Sequence, residues 1–135
     1  IGGLGKKRTP ALTARYADEF NLPFVDEATT AAQFARVRTA CEQVERDPDD
    51  LVYSNALVLC VAGDERELER RAQRIGRDKD ELRENGLAGT PDEVVAKARR
   101  YADLGSQRLY LQVLDLADLE HLDLVAAEVM PHVGG

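Results

Sequence analysis

The sequence predicts an α/β protein with parallel strands. Three observations carry that prediction. Strand-like and helix-like stretches alternate along the chain. Residues 51–63 (LVYSNALVLCVAG) form a near-continuous apolar run, as suits a strand covered on both faces. Residues 89–105 (GTPDEVVAKARRYADLG) carry a full set of helix start and stop signals. Regular alternation implies parallel strands joined by right-handed helical crossovers. Two architectures satisfy it: an open doubly wound sheet, or part of a (β/α)8 barrel.

The elements follow in order. Residues 9–20 (TPALTARYADEF) read as a helix capped by Thr9, with Pro10 at its first position. Leu12, Tyr16 and Phe20 then share one face. Asn21 closes that helix and leads into a short buried strand over 21–25. Residues 28–46 form a second helix, with Phe34, Val37, Cys41 and Val44 on one stripe. Pro48 lies in a polar stop over 46–50. After the strand at 51–63, Asp64 and Glu67 make a capping-box pattern for a charged, solvent-facing helix that frays near Gly76 or Gly86. Thr90, Pro91 and Glu93 begin the helix of 89–105 and Gly105 ends it. Residues 106–115 are a strand. Residues 118–130 are a last helix with Leu119, Leu122, Val125, Ala126 and Val129 inward, stopped by Pro131 and by Gly134–Gly135.

Bulk properties narrow the function. A chain of 135 residues suits one domain, 1–135, with a real core. A net charge of −7 argues against a general nucleic-acid binder, which needs a basic surface. No apolar run approaches the ~20 residues of a membrane span, and there is no signal-peptide pattern. Cys41 and Cys60 are far apart and in no metal spacing, so they read as reduced thiols of a cytoplasmic protein. The chain opens on Ile1 at what reads as a strand end, and the expectation is a fragment or a processed chain.

The opening IGGLGKKRTP raises a physical question. A helix N-terminus already carries about +0.5 of an elementary charge, so Lys6, Lys7 and Arg8 are unfavourable there. An anion in the same place reverses that cost. Gly2, Gly3 and Gly5 let backbone N–H groups approach it, and Thr9 adds a hydroxyl. This describes a phosphate cradle after a parallel strand. The bland alternative is a glycine turn with surface lysines. The spacing is neither a P-loop nor a full dinucleotide fingerprint, because Arg8 stands where the third glycine belongs.

Two stretches resemble one family. IGGLGKKRTPALTARYADEFN is similar to the segment of luciferase-like monooxygenases in which a glycine-rich strand end leads into K-R-T and A-R-Y-A-D. GLAGTPDEVVAKARRYADLGSQRLYLQVLDLADLEHLDLVAAEVMP resembles the C-terminal part of the same superfamily, nearest to its branch using the deazaflavin F420. The resemblance implies the C-terminal half of a (β/α)8 TIM barrel, about four β/α units. It implies coenzyme F420, with FMN as the alternative, and a small-molecule substrate. By position it makes Gly2, Gly3, Gly5, Arg8 and Thr9 contacts of the cofactor phosphate. Leu4 and Pro10 depart from the family pattern, where glycine and an aliphatic residue are usual. A barrel closes by pairing its first and last strands. A half-barrel therefore calls for a missing N-terminal half or a second copy in a homodimer, and an isolated chain is expected to be inactive. The alternative is a non-catalytic half-barrel that holds no cofactor.

Other residues are weighed singly. Gln112, at the end of the last strand, is a candidate to hydrogen-bond the cofactor ring edge. Asp115 serves the following loop or caps the final helix. Ser54 and Asn55 read as packing or solvent contacts, and Tyr16, Tyr101 and Tyr110 as core or interface, with a ligand-facing place as the alternative for Tyr110. His121 and His132 read as surface residues. There is no acid–base pair, nucleophile arrangement or metal cluster, which suits an enzyme whose cofactor carries the chemistry.

Overall fold

The computed structural model describes residues 1–134. They divide into two compact units. The first comprises residues 1–56 and 101–110, the second residues 57–100 and those from 111 onward. Gly135, expected to help stop the last helix, lies outside the described residues.

The first unit opens with helix α1, Arg8–Tyr16, followed by strand β1, Glu19–Pro23, and helix α2, Glu27–Glu42. The helix expected over 9–20 is therefore shorter and shifted. Thr9 is not its cap; Lys7 holds that position, and Pro10 is the third helical residue. Proline is tolerated there because the amides of the first turn have no intrahelical acceptor anyway. Ala11 makes the first bond, its N–H donating to the Lys7 carbonyl at 3.2 Å. The helix ends where Ala17 turns extended. Phe20 and Leu22 are buried in β1 with half-buried residues between them, a period of two. The apparent stripe of Leu12, Tyr16 and Phe20 mixed a helix with a strand. Leu12 and Tyr16 are exposed, and α1 instead buries Pro10, Thr13 and Ala14. Asn21 is likewise a β1 residue and stops no helix.

Helix α2 matches its expected stripe. Asp26 caps it, accepting from the Thr29 N–H at 2.7 Å. Phe34, Val37 and Cys41 are buried, and Val44 packs against the same cluster beyond the helix end. Phe34 sits edge-on to Phe20 (6.2 Å between centroids) and to Tyr53 (5.0 Å). The Arg38 guanidinium covers the Tyr53 ring at 4.7 Å and pairs with Asp49 at 2.9 Å. A 3-10 turn at Pro48–Asp50 leads into strand β2, Val52–Val61. Its Val52–Ala56 segment pairs in parallel with β1. As expected of an apolar run, β2 is buried along nearly all its length.

The second unit contains the rest of β2 and helices α3, Glu65–Arg74, and α4, Lys79–Asn85. The one charged helix expected after Asp64 is two, because Gly76 (φ +68°) turns the chain and Gly86 ends the second piece. The capping pattern holds: the Glu67 N–H donates to Asp64 at 2.8 Å and the Gly63 N–H to Glu67 at 2.7 Å. A short strand β3, Leu87–Gly89, was not anticipated; it pairs in parallel with Leu59–Val61 of β2. Helix α5, Pro91–Asp103, starts with the reciprocal Thr90–Glu93 box and ends at Gly105 (φ +100°). Strand β4, Arg108–Gln112, also pairs with β2.

Helices α6, Leu119–Glu128, and α7, Met130–Val133, close the described chain. Pro131 does not stop helical structure; it sits in the first turn of α7. Val125 and Val129 face inward as expected, whereas Leu119 and Ala126 are exposed. His121 takes the inward place and is only 5% exposed, so it is not a surface residue. His132 is exposed. No helix among the described residues is long and apolar enough to cross a membrane.

Candidate functional site

The glycine-rich opening is a strand end that turns into α1. The Asn21 N–H donates to the Ile1 carbonyl at 2.9 Å, and Gly2 bridges Asn21 in parallel. A Cβ on Gly2 would lie 2.7 Å from the Asn21 carbonyl oxygen, so the close strand contact itself requires glycine. Gly3 takes φ +121°, which disfavours any side chain, and the space around it is open. A Cβ on Gly5 would meet the Thr9 hydroxyl at 2.3 Å; the Thr9 side chain is folded over the turn. From below, the buried Gln33 of α2 donates its Nε2 to the Leu4 carbonyl at 3.0 Å. The peptide unit in the middle of the turn is thereby fixed.

The turn feeds a helix start unlike those of α2, α3, α4 and α6. Helices α2, α3, α4 and α6 each begin with an aspartate accepting a backbone N–H, and each has an acidic first turn. Helix α1 has Lys7 at the cap, no side-chain acceptor and no acidic residue in its first turn. No cap side chain and no first-turn carboxylate offsets its orphan N–H groups and partial positive charge, while Lys6, Lys7 and Arg8 add three cations. That arrangement suits an external anion.

A second polar group lies near the amino ends of β1, β2 and β4. The Ser54 hydroxyl donates to Glu19 at 2.6 Å and accepts from Asn21 Nδ2 at 2.9 Å. Arg108 reaches the other Glu19 oxygen at 2.9 Å, and the Tyr110 hydroxyl donates to it at 3.3 Å. The Ser54 hydroxyl, then Tyr110 and Arg108, hold the Glu19 carboxyl below its usual range. The group borders an open basin of about 500 Å³ lined also by Ile1, Gly2 and Ala56. In parallel α/β folds chemistry belongs at the carboxyl ends of strands, so this amino-end group reads as part of the scaffold.

In the second unit a buried cluster gathers at the carboxyl end of β2. Arg71 is 5% exposed and binds Asp118 through Nε at 2.9 Å, Glu67 at 2.9 Å and the Val61 carbonyl at 3.0 Å. The Val61 N–H donates to His121 Nε2 at 2.9 Å. Arg71 first, then the His121 backbone N–H, holds the Asp118 carboxyl down to about 2. No group of metal-ligating side chains occurs among the described residues.

Of the residues singled out in the sequence, Gly2, Gly3, Gly5, Arg8 and Thr9 lie together on one turn and helix start in the first unit. Gln112 is exposed at the end of β4 and belongs to the second unit. Asp115 serves its loop, accepting from the Ala117 N–H at 3.1 Å and pairing with Arg74 at 3.1 Å. Ser54 and Asn55 are fully buried, and Asn55 donates to Thr30 at 2.9 Å. Tyr101 is buried, with its hydroxyl on the Val25 carbonyl, while Tyr16 and Tyr110 are exposed. Gln33, Glu19 and Arg108 were missed. Their signals were a polar residue on the apolar stripe of α2 and opposite charges at the amino ends of two strands.

No family model matches the sequence, and no curated protein sequence matches it. Solved structures do. An F420-dependent secondary alcohol dehydrogenase, in complex with an F420–acetone adduct, superposes with a TM-score of 0.80 at 14% identity, over 99% of this chain and 48% of that one. A coenzyme F420-dependent tetrahydromethanopterin reductase from Methanopyrus kandleri gives 0.75 at 14%, over 98% and 50%. A long-chain alkane monooxygenase gives 0.72 at 15%, over 94% and 39%. The chain thus spans about half the length of the structures it matches. The fold is α/β with a parallel sheet, and it corresponds to about half of the TIM-barrel chains of these structures.

Proposed function

We propose that this chain is the phosphate-holding half-barrel of a luciferase-like oxidoreductase that uses coenzyme F420, with FMN as the alternative. The observation that carries the reading is the start of α1: a glycine turn, three cations and a helix N-terminus with no side-chain cap and no acidic residue in its first turn. Two of the matched structures are F420-dependent enzymes, and a type II Baeyer–Villiger monooxygenase in complex with FMN matches at a TM-score of 0.65. When bound, such a cofactor supplies hydride chemistry, or oxygen chemistry in the case of FMN. The chain's residues bind and orient it. Gly3 leaves room for the phosphate at the backbone, and Arg8 neutralises it. Gly5 and Thr9 close the turn, and Gly2 seats it on β1. The substrate is a small molecule. The remaining wall of the pocket comes from an N-terminal half or from a second copy in a homodimer. Two buried, unpaired thiols accord with a cytoplasmic protein.

Native mass spectrometry with F420 and with FMN tests this reading. The expected result is an assembly carrying one cofactor mass per turn. Arg8→Glu combined with Thr9→Ala should weaken that binding at least about ten-fold, ~1.4 kcal/mol, with folding nearly intact. Binding unaffected by the substitutions would overturn the site. A species that ignores both cofactors would favour a non-catalytic half-barrel instead.

A further inference from the structure

His121 is the first buried residue of α6, and it is used in an uncommon way. Its ring nitrogen Nε2 accepts the backbone N–H of Val61 at 2.9 Å. Acceptance at Nε2 places the ring proton on Nδ1, so the bond exists only for the neutral imidazole. The neighbouring Val61 carbonyl is taken by Arg71 at 3.0 Å, and Arg71 is in turn held by Asp118, the cap of α6. Both backbone groups of the last β2 residue are therefore satisfied by side chains rather than by a strand. The clasp joins the carboxyl end of β2 to α3 and α6, and all of these residues lie within the second unit.

We propose that His121 is a proton-operated clasp: as neutral imidazole it holds α6 to the carboxyl end of β2, and on protonation it releases that end. A protonated ring presents Nε2–H to the Val61 N–H, donor against donor, and the Val61 amide loses its acceptor. The charged groups around the ring divide. Arg71 of α3 opposes a second cation, while Asp118, Asp115 and Glu67 favour one. The Cys60 thiol of β2 lines a small cavity together with His121, Arg71 and Asp118, and it stays neutral because burial pushes it up. Burial first, then Arg71, prevails and holds the imidazole below its ordinary value. The neutral clasp is therefore complete at neutral pH and opens in mildly acidic solution.

The test is amide hydrogen exchange by NMR on the whole protein, between about pH 7.5 and pH 5, corrected for intrinsic rates. The His121 ring is titrated in the same samples. Val61 should lose at least about ten-fold protection relative to Cys60, whose segment stays in the β2–β3 ladder, with the midpoint of the His121 titration. His121→Gln supplies an amide oxygen that does not titrate, and Val61 should then stay protected at both pH values. Should that variant fail to fold, the wild-type titration decides alone. Val61 protection unchanged through the His121 titration would overturn the proposal. So would an imidazole titrating above a free-histidine reference, or His121→Gln still opening with acid.

Discussion

Glu65 and Asp118 invite comparison. Each carboxyl is held down to about 2, and in each an arginine is the first cause: Arg83 for Glu65, Arg71 for Asp118. By titration they look alike. By position they differ. Glu65 links α3 to Arg83 and Lys79 of α4 with its side chain 53% exposed. Asp118 is 9% exposed and its arginine 5%. A lowered pKa measures only how strongly the folded protein prefers the charged form. What the pair contributes to stability depends on where a deserted partner goes. Arg83 and Lys79 can turn to water, and exposed pairs are screened by solvent and salt. Arg71 has nowhere to turn, because its other contacts, Val61 and Glu67, leave it buried.

Asp118→Asn is the harshest test of that difference. Asparagine keeps the helix cap and removes the charge, so the loss isolates the buried pair. Urea denaturation should show a loss of about 3–5 kcal/mol. A loss no greater than that of a surface variant would erase the contrast.

Acid sharpens it next. A depressed carboxyl stabilises fully above its unfolded value, and that contribution is lost as pH falls through the folded one. For Asp118 the window runs from 3.8 down to about 2. Wild-type stability, followed by thermal melts, should fall across that window, and Asp118→Asn should flatten the fall. A third comparison concerns the helix starts. Lys7→Ser gives α1 the side-chain acceptor its neighbours have, and should raise stability by about 1 kcal/mol in the same melts. The smallest effect belongs to Glu65→Gln. It should leave the melting temperature unchanged in moderate salt despite the low pKa of the carboxyl it removes. A clear drop would mean that α3 and α4 depend on their surface ion net.

Much of the fold was legible because its signals are local. Asp64–Glu67, Thr90–Glu93 and Gly105 each act within a few residues, and all three behave as written. The errors came where local patterns competed with distant partners. Leu12, Tyr16 and Phe20 imitate a helical stripe, but Phe20 is claimed by Phe34 fourteen residues on. His121 looks like a surface residue until Val61, sixty residues earlier in the chain, is brought to it. The glycine turn was visible as a motif, and its small-residue demands at Gly2 and Gly5 have structural causes. Gln33 beneath it shows in the sequence only as a polar residue on the apolar stripe of α2, which carries no sign of the Leu4 carbonyl it meets.

The two free cysteines have a consequence for kinetics. Cys41 lies in the first unit and Cys60 in the second, at 0% and 2% exposure, and burial pushes both thiols up. Neither reacts with an alkylating reagent in the closed state, since attack requires an accessible thiolate. Each becomes reactive only when its own surroundings open. The chain therefore carries two clocks. The labelling rates of the two sulfurs, followed by mass spectrometry under identical conditions, time the breathing of each unit separately.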